Sequence, residues 1–293
     1  MEKISIIGAG LAGCTLASLL SDTYDVTLYE KDHVSGLCRD NKHYQEFVHI
    51  LHTDNKEVWD FVNAYTTVRP HTTILKSYVK GELKQWPAKE ITDQVIEEQM
   101  DGYNKKMWKK KTPKQALARV ITSEDGLIFH EKYQGVPDFN RLFHNLTKDV
   151  PVLYMDVRDG DLDGKIILTG AIDEYFNYCY GKLSYRGMKA VHYESEIGLD
   201  ADFITFSDEK IPFQRIVDYS RLGYEGNWLS LEIACDDKHY PMLDDQSGET
   251  YARYKELADS KGIILCGRLA TYHYMDMDEV IEQAFEVVRR LNA

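Results

Sequence analysis

No window of about 18 residues in this chain is apolar and free of charge, so no membrane-spanning helix is expected. The hydrophobic fraction is nonetheless 43% of 293 residues, enough for a sizeable core in two modest domains or one elaborate one. A charged-then-apolar leader is missing as well. The first residues run straight into a β-branched segment, and a cytoplasmic location is the expectation. Paired cysteines are absent. Cys14, Cys38, Cys179, Cys235 and Cys266 are scattered, odd in number and form no C-x-x-C. That spacing fits a reducing compartment and excludes a disulfide scaffold or a zinc ribbon; no metal is expected. Excess positive charge is absent too. The net charge of −13 excludes a general nucleic-acid surface, and an anionic small molecule would need a local cationic site within a repelling field. There is no internal repeat, no low-complexity tract and no clean linker.

What the chain does have begins at once. Ile4-Ser5-Ile6-Ile7 is a short apolar run. It leads into Gly8-Ala9-Gly10-Leu11-Ala12-Gly13 and then the small, apolar Cys14 to Leu20. This predicts strand, tight turn and helix. Gly8 permits the turn, Gly10 lets a pyrophosphate approach the backbone, and Gly13 lets helix and strand pack closely. The helix N-terminus offers unpaired N–H groups to phosphate. Asp25 to Tyr29 reads as the second strand and ends at Glu30, about 20 residues after the glycines, where a ribose hydroxyl is usually held. The unit predicts a dinucleotide and does not by itself choose between NAD and FAD. Further on, Lys31 opens a loop whose Gly36-Leu37-Cys38 could run beneath a flavin or an adenosine.

The remaining chain reads as alternating short elements. Val48 to His52 has strand alternation, and Thr53 or Asp54 is placed to cap a helix over 57–64. Residues 72–79 and 81–86 form a hairpin turning at Lys80-Gly81, and 91–100 has helical spacing. A further short helix covers 113–120, residues 133–137 make a turn, and 140–147 is a helix with Leu142, Phe143 and Leu146 inward. Strands at 150–154 and 165–169 rejoin the first sheet. The lysine run at 105, 106 and 109–111 is read as a solvated face. Twenty tyrosines are many for this length, and four fall between Tyr175 and Tyr185. Alternation from there to about Ile233 predicts a small antiparallel sheet. The chain then returns to the first domain through 262–268, and Asp276 with Glu279 is spaced as the capping box of a last helix.

Taken in order, several of these segments resemble the UDP-galactopyranose mutases. They are the N-terminal glycines, His49-Ile50-Leu51-His52-Thr53-Asp54-Asn55, Gly102-Tyr103 through Trp108, Tyr133-Gln134-Gly135-Val136-Pro137, Gly170-Ala171-Ile172-Asp173-Glu174-Tyr175-Phe176, Pro212 to Ile216, Tyr240-Pro241 and Gly267 to Asp278. The resemblance implies an α/β fold: a Rossmann-like FAD-binding domain with an inserted, reduced helical segment and a small antiparallel sheet. Residues 1–70, 138–175 and 245–293 would bind FAD, and 71–137 with 176–244 the substrate. It implies a reaction in which N5 of reduced FAD attacks the anomeric carbon of a nucleotide-linked sugar, and the ring recloses from pyranose to furanose without net redox change.

Residue by residue, Arg119 and Arg215 resemble the pair gripping the substrate diphosphate, a task suited to two forked guanidiniums. Tyr103, Tyr240 and Tyr274 resemble its tyrosine partners, Trp108 a wall of the sugar-nucleotide pocket, and Asp276 an acid near the sugar. His49 resembles the histidine beside the flavin and Arg268 the arginine that holds FAD phosphate. Gly8, Gly10, Leu11, Ala12, Gly13, Glu30, Lys31, Gly36, Leu37, Cys38, Gly170, Asp276 and Met277 complete the implied cofactor set. The implied partner is a nucleotide diphosphate sugar, with neither nucleic acid nor membrane; a homodimer is also implied. The chain departs from the pattern twice. It is shorter, mainly between Pro87 and Gly102, where the family has helices that contribute to its dimer. Gln99 and Met100 stand where an aromatic pair packs uracil, so UDP-, dTDP-, GDP- and ADP-sugars all stay open. Two other readings remain: an amine-oxidase-like flavoenzyme on the same scaffold, and a non-catalytic nucleotide-sugar sensor.

Overall fold

The computed structural model describes residues 1–109, 122–162, 164–242 and 245–293. Its first sheet is wholly parallel, with strands in the order Ile264–Leu265, Lys165–Leu168, Lys3–Ile7, Asp25–Glu30 and Val152–Tyr154. Helices cover it: Leu11–Leu20, Phe139–Thr147 and Met277–Leu291 share one core with its central strands. Burial on both faces explains why Ile166, Ile167 and Leu168 form an unbroken apolar run rather than an alternating one. Leu142, Phe143 and Leu146 point inward, as do Ile281, Ala284 and Phe285 of the last helix. That helix has Asp276 as its N-cap, and the Glu279 carboxylate accepts from the Asp276 N–H at 2.7 Å.

The second sheet has six strands, in the order Tyr185–Glu194, Trp228–Pro241, Arg215–Asp218, Phe203–Phe206, Leu75–Val79 and Glu82–Trp86. It is larger than expected and not wholly antiparallel, because the hairpin of residues 75–86 joins it by pairing Leu75–Val79 in parallel with Phe203–Phe206. Loop closure cost grows only slowly with length, so such a remote pairing is tolerated where it buries Leu75 and Phe203 together. A third, three-stranded sheet places Tyr133–Pro137 between Leu51–Thr53 and Val68–Pro70. Residues 133–137 are therefore a strand and not a turn: paired on both sides, with Val136 fully buried, they have no room to reverse. The following cap also differs. Asn55 caps the helix Lys56–Tyr65, while Asp54 accepts instead from the Lys132 N–H at 2.8 Å.

Residues 91–100 are helical only in part. A single turn, Asp93–Val95, widens into a π-helical segment, Ile96–Asp101, and tightens again into the helix Gly102–Trp108. Gly102 lies where helix meets sheet, and a Cβ there would stand 1.7 Å from the Ser207 carbonyl oxygen. The helix expected at 113–120 lies outside the described residues. Among those described, no helix is long and apolar enough to cross a membrane.

Candidate functional site

The glycine loop opens a cavity of about 600 Å³ at the carboxyl end of the parallel sheet, the position where open α/β sheets take their ligands. Gly8 has φ +103°, a conformation L side chains rarely adopt, and a Cβ on Gly13 would lie 1.9 Å from the Gly8 carbonyl oxygen. The turn and the helix–strand approach thus exclude side chains at both positions. Gly10 is different: a Cβ there would meet nothing within 4 Å, because the position faces the open cavity. That bare backbone beside a helix N-terminus suits a pyrophosphate. Glu30 is held in place by two backbone donors, Ala9 at 2.7 Å and Asp32 at 2.8 Å, with its carboxylate on the cavity wall. The cavity also holds an orphan: Arg39 lines it with a buried Nε that has no partner among the described residues, the condition of a group awaiting an anion. Bare backbone, N–H groups, an acid and an unpaired guanidinium donor fit a dinucleotide.

Of the implied cofactor residues, Gly8, Gly10, Leu11, Ala12, Glu30, Lys31, Gly36, Leu37, Cys38, His49, Gly170, Arg268 and Met277 line this cavity. Gly13 lies behind it and Asp276 does not reach it. Lys31 is already paired with Glu174 at 2.7 Å. Burial pushes the Cys38 thiol up to about 12, so it stays protonated there.

A second cavity, of about 730 Å³, adjoins the first. Arg215, Tyr240, Tyr274 and Asp276 line it, and His49, Arg268 and Met277 line both. The six-stranded sheet supplies Arg215. Its neighbour in the sheet is Glu232, a fully buried carboxylate that accepts from the Arg215 Nε. Burial opposes the Arg215 charge, and Glu232, Tyr103 and Tyr240 outweigh it, so the group is held firmly cationic. The Tyr240 and Tyr274 rings stack at 5.6 Å, and Trp108 meets Tyr240 edge-on at 6.3 Å. Tyr103 and Trp108 therefore stand behind the described lining: the Tyr103 hydroxyl is pushed up by burial and drawn down by Arg215. Arg119, the other half of the expected arginine pair, lies outside the described residues.

His49 separates the two cavities. Its Nδ1 lies 2.7 Å from the Phe47 carbonyl, so Nδ1 carries the hydrogen and Nε2 is left as an acceptor. Burial, with Arg268 and Arg215 nearby, lowers its pKa to about 4, and the ring is neutral. Arg268, expected to grip phosphate, is anchored by backbone carbonyls. Its Nε donates to the Met275 carbonyl at 3.0 Å, Nη2 donates to the same oxygen, and Nη1 reaches the His239 carbonyl at 3.4 Å. These bonds fix it over the Tyr240 and Tyr274 rings, with centroids at 4.8 and 5.1 Å. Asp276 serves first as a helix cap and lines only the second cavity. Arg39 was not legible in advance, since an arginine in a loop gives no sign of burial.

Comparison with known proteins agrees with this geometry. Residues 98–274 match the family model described as UDP-galactopyranose mutase, and residues 6–65 that of an NAD(P)-binding Rossmann-like domain. A protein of Escherichia coli named dTDP-fucopyranose mutase is 28% identical over 98% of this chain and 97% of its own. One of Klebsiella pneumoniae named probable UDP-galactopyranose mutase is 26% identical over 97% and 93%. The fold is that of a solved reduced UDP-galactopyranose mutase, with a TM-score of 0.73 at 15% identity over 100% of this chain and 94% of the other. The tyrosine-rich segment, the strand carrying Arg215 and Gly267 to Tyr274 all fall inside the matched region that builds the second cavity. On that match, this chain belongs to the UDP-galactopyranose mutase family.

Proposed function

We propose that this protein is a flavin-dependent nucleotide-sugar mutase that interconverts the pyranose and furanose forms of a hexose carried on a nucleoside diphosphate, with FAD in its reduced state as cofactor. The observation that carries this is the junction of two cavities, one lined by a phosphate-binding glycine loop and one by a buried-acid-braced arginine among tyrosines. Gly8, Gly10 and the helix start at Leu11 take the cofactor pyrophosphate, and Glu30 the adenosine ribose. Reduced FAD supplies a nucleophilic nitrogen for the anomeric carbon. Arg215 neutralises the diphosphate as it leaves, and Tyr240 and Tyr274 hold its oxygens and the sugar. Neutral His49 presents an acceptor where the two cavities meet, able to take a hydrogen bond without adding charge.

For the nucleotide, dTDP-linked sugars come first, ahead of UDP-galactose. Gln99 and Met100 are buried in the π-helical segment, Ser207 Oγ donates to the Gln99 carbonyl, and the Gln99 Oε1 has no partner among the described residues. Neither side chain offers the flat aromatic face on which a base gains about 1–3 kcal/mol, so uracil loses its usual advantage here. The relative from Escherichia coli is named for a dTDP-sugar. The test reduces the yellow protein with dithionite, incubates it with dTDP-, UDP-, GDP- and ADP-sugars and looks for furanose product. Turnover only after reduction, with no stoichiometric loss of reductant, is the expected result. Equal turnover by oxidised protein removes the flavin nucleophile, and stoichiometric reductant consumption points to an oxidoreductase. A preference for UDP-galactose of about 100-fold, roughly 2.7 kcal/mol, overturns the nucleotide assignment alone.

A further inference from the structure

We propose that Arg268 is the fixed cation that sets the reduction potential of the bound flavin, acting at the redox-active ring and not at the cofactor phosphates. The inference rests on the reading that a flavin fills the glycine-lined cavity. A cofactor that reacts with a substrate must present its reacting end where the two cavities meet. Among the described residues, only His49, Arg268 and Met277 line both cavities, whereas the proposed phosphate-binding positions Gly8 and Gly10 line the first alone. Arg268 is therefore placed at the reacting end.

Its guanidinium is held rigidly. The Met275 and His239 carbonyls take three of its five N–H groups, and two tyrosine rings flank it. Among the described residues it makes no ion pair with a carboxylate, unlike Arg215, which Glu232 pairs. The two histidines beside it add no charge: burial and Arg268 itself lower both His49 and His239 to about 4. Asp276, the acid on the second cavity's wall, is engaged in capping the last helix. The phosphates have another candidate in Arg39, whose buried Nε lines the first cavity without a partner among the described residues. Reduction adds electrons to the flavin ring. A fixed positive charge in a half-buried, low-dielectric site favours the more negative reduced form and so raises the potential.

The experiment measures flavin content after dialysis and the midpoint potential of the holoprotein for Arg268→Gln, Arg268→Lys and Arg39→Gln. We expect Arg268→Gln to retain flavin and to weaken the preference for reduced over oxidised cofactor at least tenfold, which is a fall of about 30 mV for a two-electron couple. Arg268→Lys should restore most of that difference. Arg39→Gln should bind flavin at least tenfold more weakly with the potential unchanged. The potential is read on whatever flavin stays bound, so partial loss of cofactor does not mask it. An unaltered potential in Arg268→Gln overturns the proposal, whether or not flavin is lost. A parent protein that binds no flavin overturns the functional reading together with it.

Discussion

Arg215 and Glu232 show how one side chain acquires its role from another. A surface arginine on a strand is ordinary, but Glu232 is fully buried, and among the described residues only one of its two oxygens has a partner, the Arg215 Nε. Removing one member of such a pair leaves an uncompensated buried charge, which costs about 3–5 kcal/mol. Arg215→Ala is therefore expected to lose stability as well as most activity, keeping its yellow colour, with about 2–4 kcal/mol of transition-state stabilisation gone. Steady-state kinetics on the folded variant, with urea unfolding alongside, separates the two losses; near-normal turnover would return Arg215 to a structural role. The buried histidines make a second prediction. His49 and His239 titrate at about 4 in the folded chain, below the ordinary 6.5. The unfolded chain thus takes up protons first as pH falls. Stability is whole above about pH 6.5 and declines between there and about pH 4, by about 1.4 kcal/mol per unit of separation for each ring. Denaturant titrations at pH 7 and pH 4.5 should show a smaller decline in a His49→Gln/His239→Gln double variant than in the parent. Equal declines would assign the effect to carboxylates.

At the scale of elements, the helix Gly102–Trp108 is held from both sides. Lys106 was expected on a solvated face with its neighbours. Lys105 and Lys109 do lie there, paired with Glu209 at 2.6 Å and Asp236 at 2.7 Å. Lys106 instead turns inward and donates to the carbonyls of Phe206 at 2.8 Å, Ile211 at 3.1 Å and Phe213 at 2.9 Å. Burial lowers its pKa to about 8. On the other side Arg186, almost wholly buried, donates to the Met107 carbonyl at 2.5 Å and the Lys106 carbonyl at 3.0 Å. Together they fix the helix that carries Tyr103 and Trp108 against the six-stranded sheet. Lys106→Met keeps the aliphatic stem and leaves three carbonyls without their donor, so a loss of about 1–3 kcal/mol in stability is expected. Because the clamp positions the substrate wall, KM for the nucleotide sugar should rise more than kcat falls. Unfolding and kinetics on the same variant check both, and an unchanged KM would confine Lys106 to stability.

Over the whole molecule, charge and binding site oppose each other. The chain carries a net −13, while the diphosphate proposed as its substrate would sit beside Arg215 and Arg268. Long-range repulsion is screened within about 10 Å at 0.1 M salt, whereas contacts inside a half-buried cavity are screened much less. Raising ionic strength from about 0.01 to about 0.1 M should therefore increase kcat/KM for the nucleotide sugar. A fall over that range would mean that the local arginines dominate the approach as well as the bound state. Length also acts at this scale. Alignment with the Escherichia coli relative runs over 370 positions against 293 residues here, so that relative contains segments this chain lacks.

The local signals were strong where one segment decides its own conformation. Gly8, Gly13 and the β-branched Ile4 to Ile7 dictate strand, turn and helix because alternative side chains clash within a few residues. The apolar stripe and Asp276–Glu279 box likewise determine the last helix. Readings failed where remote backbone supplied the partner. Tyr133–Pro137 is a strand because two other segments flank it, and Lys106 turns inward, half-buried, because remote backbone presents its carbonyls to it. The site divides in the same way. The phosphate loop and Glu30 are legible in order along the chain, since one βαβ unit builds them. The pairing of Glu232 with Arg215, the orphaned Nε of Arg39 and the position of Arg268 between two cavities depend on which strands lie side by side, and only the tertiary structure decided that.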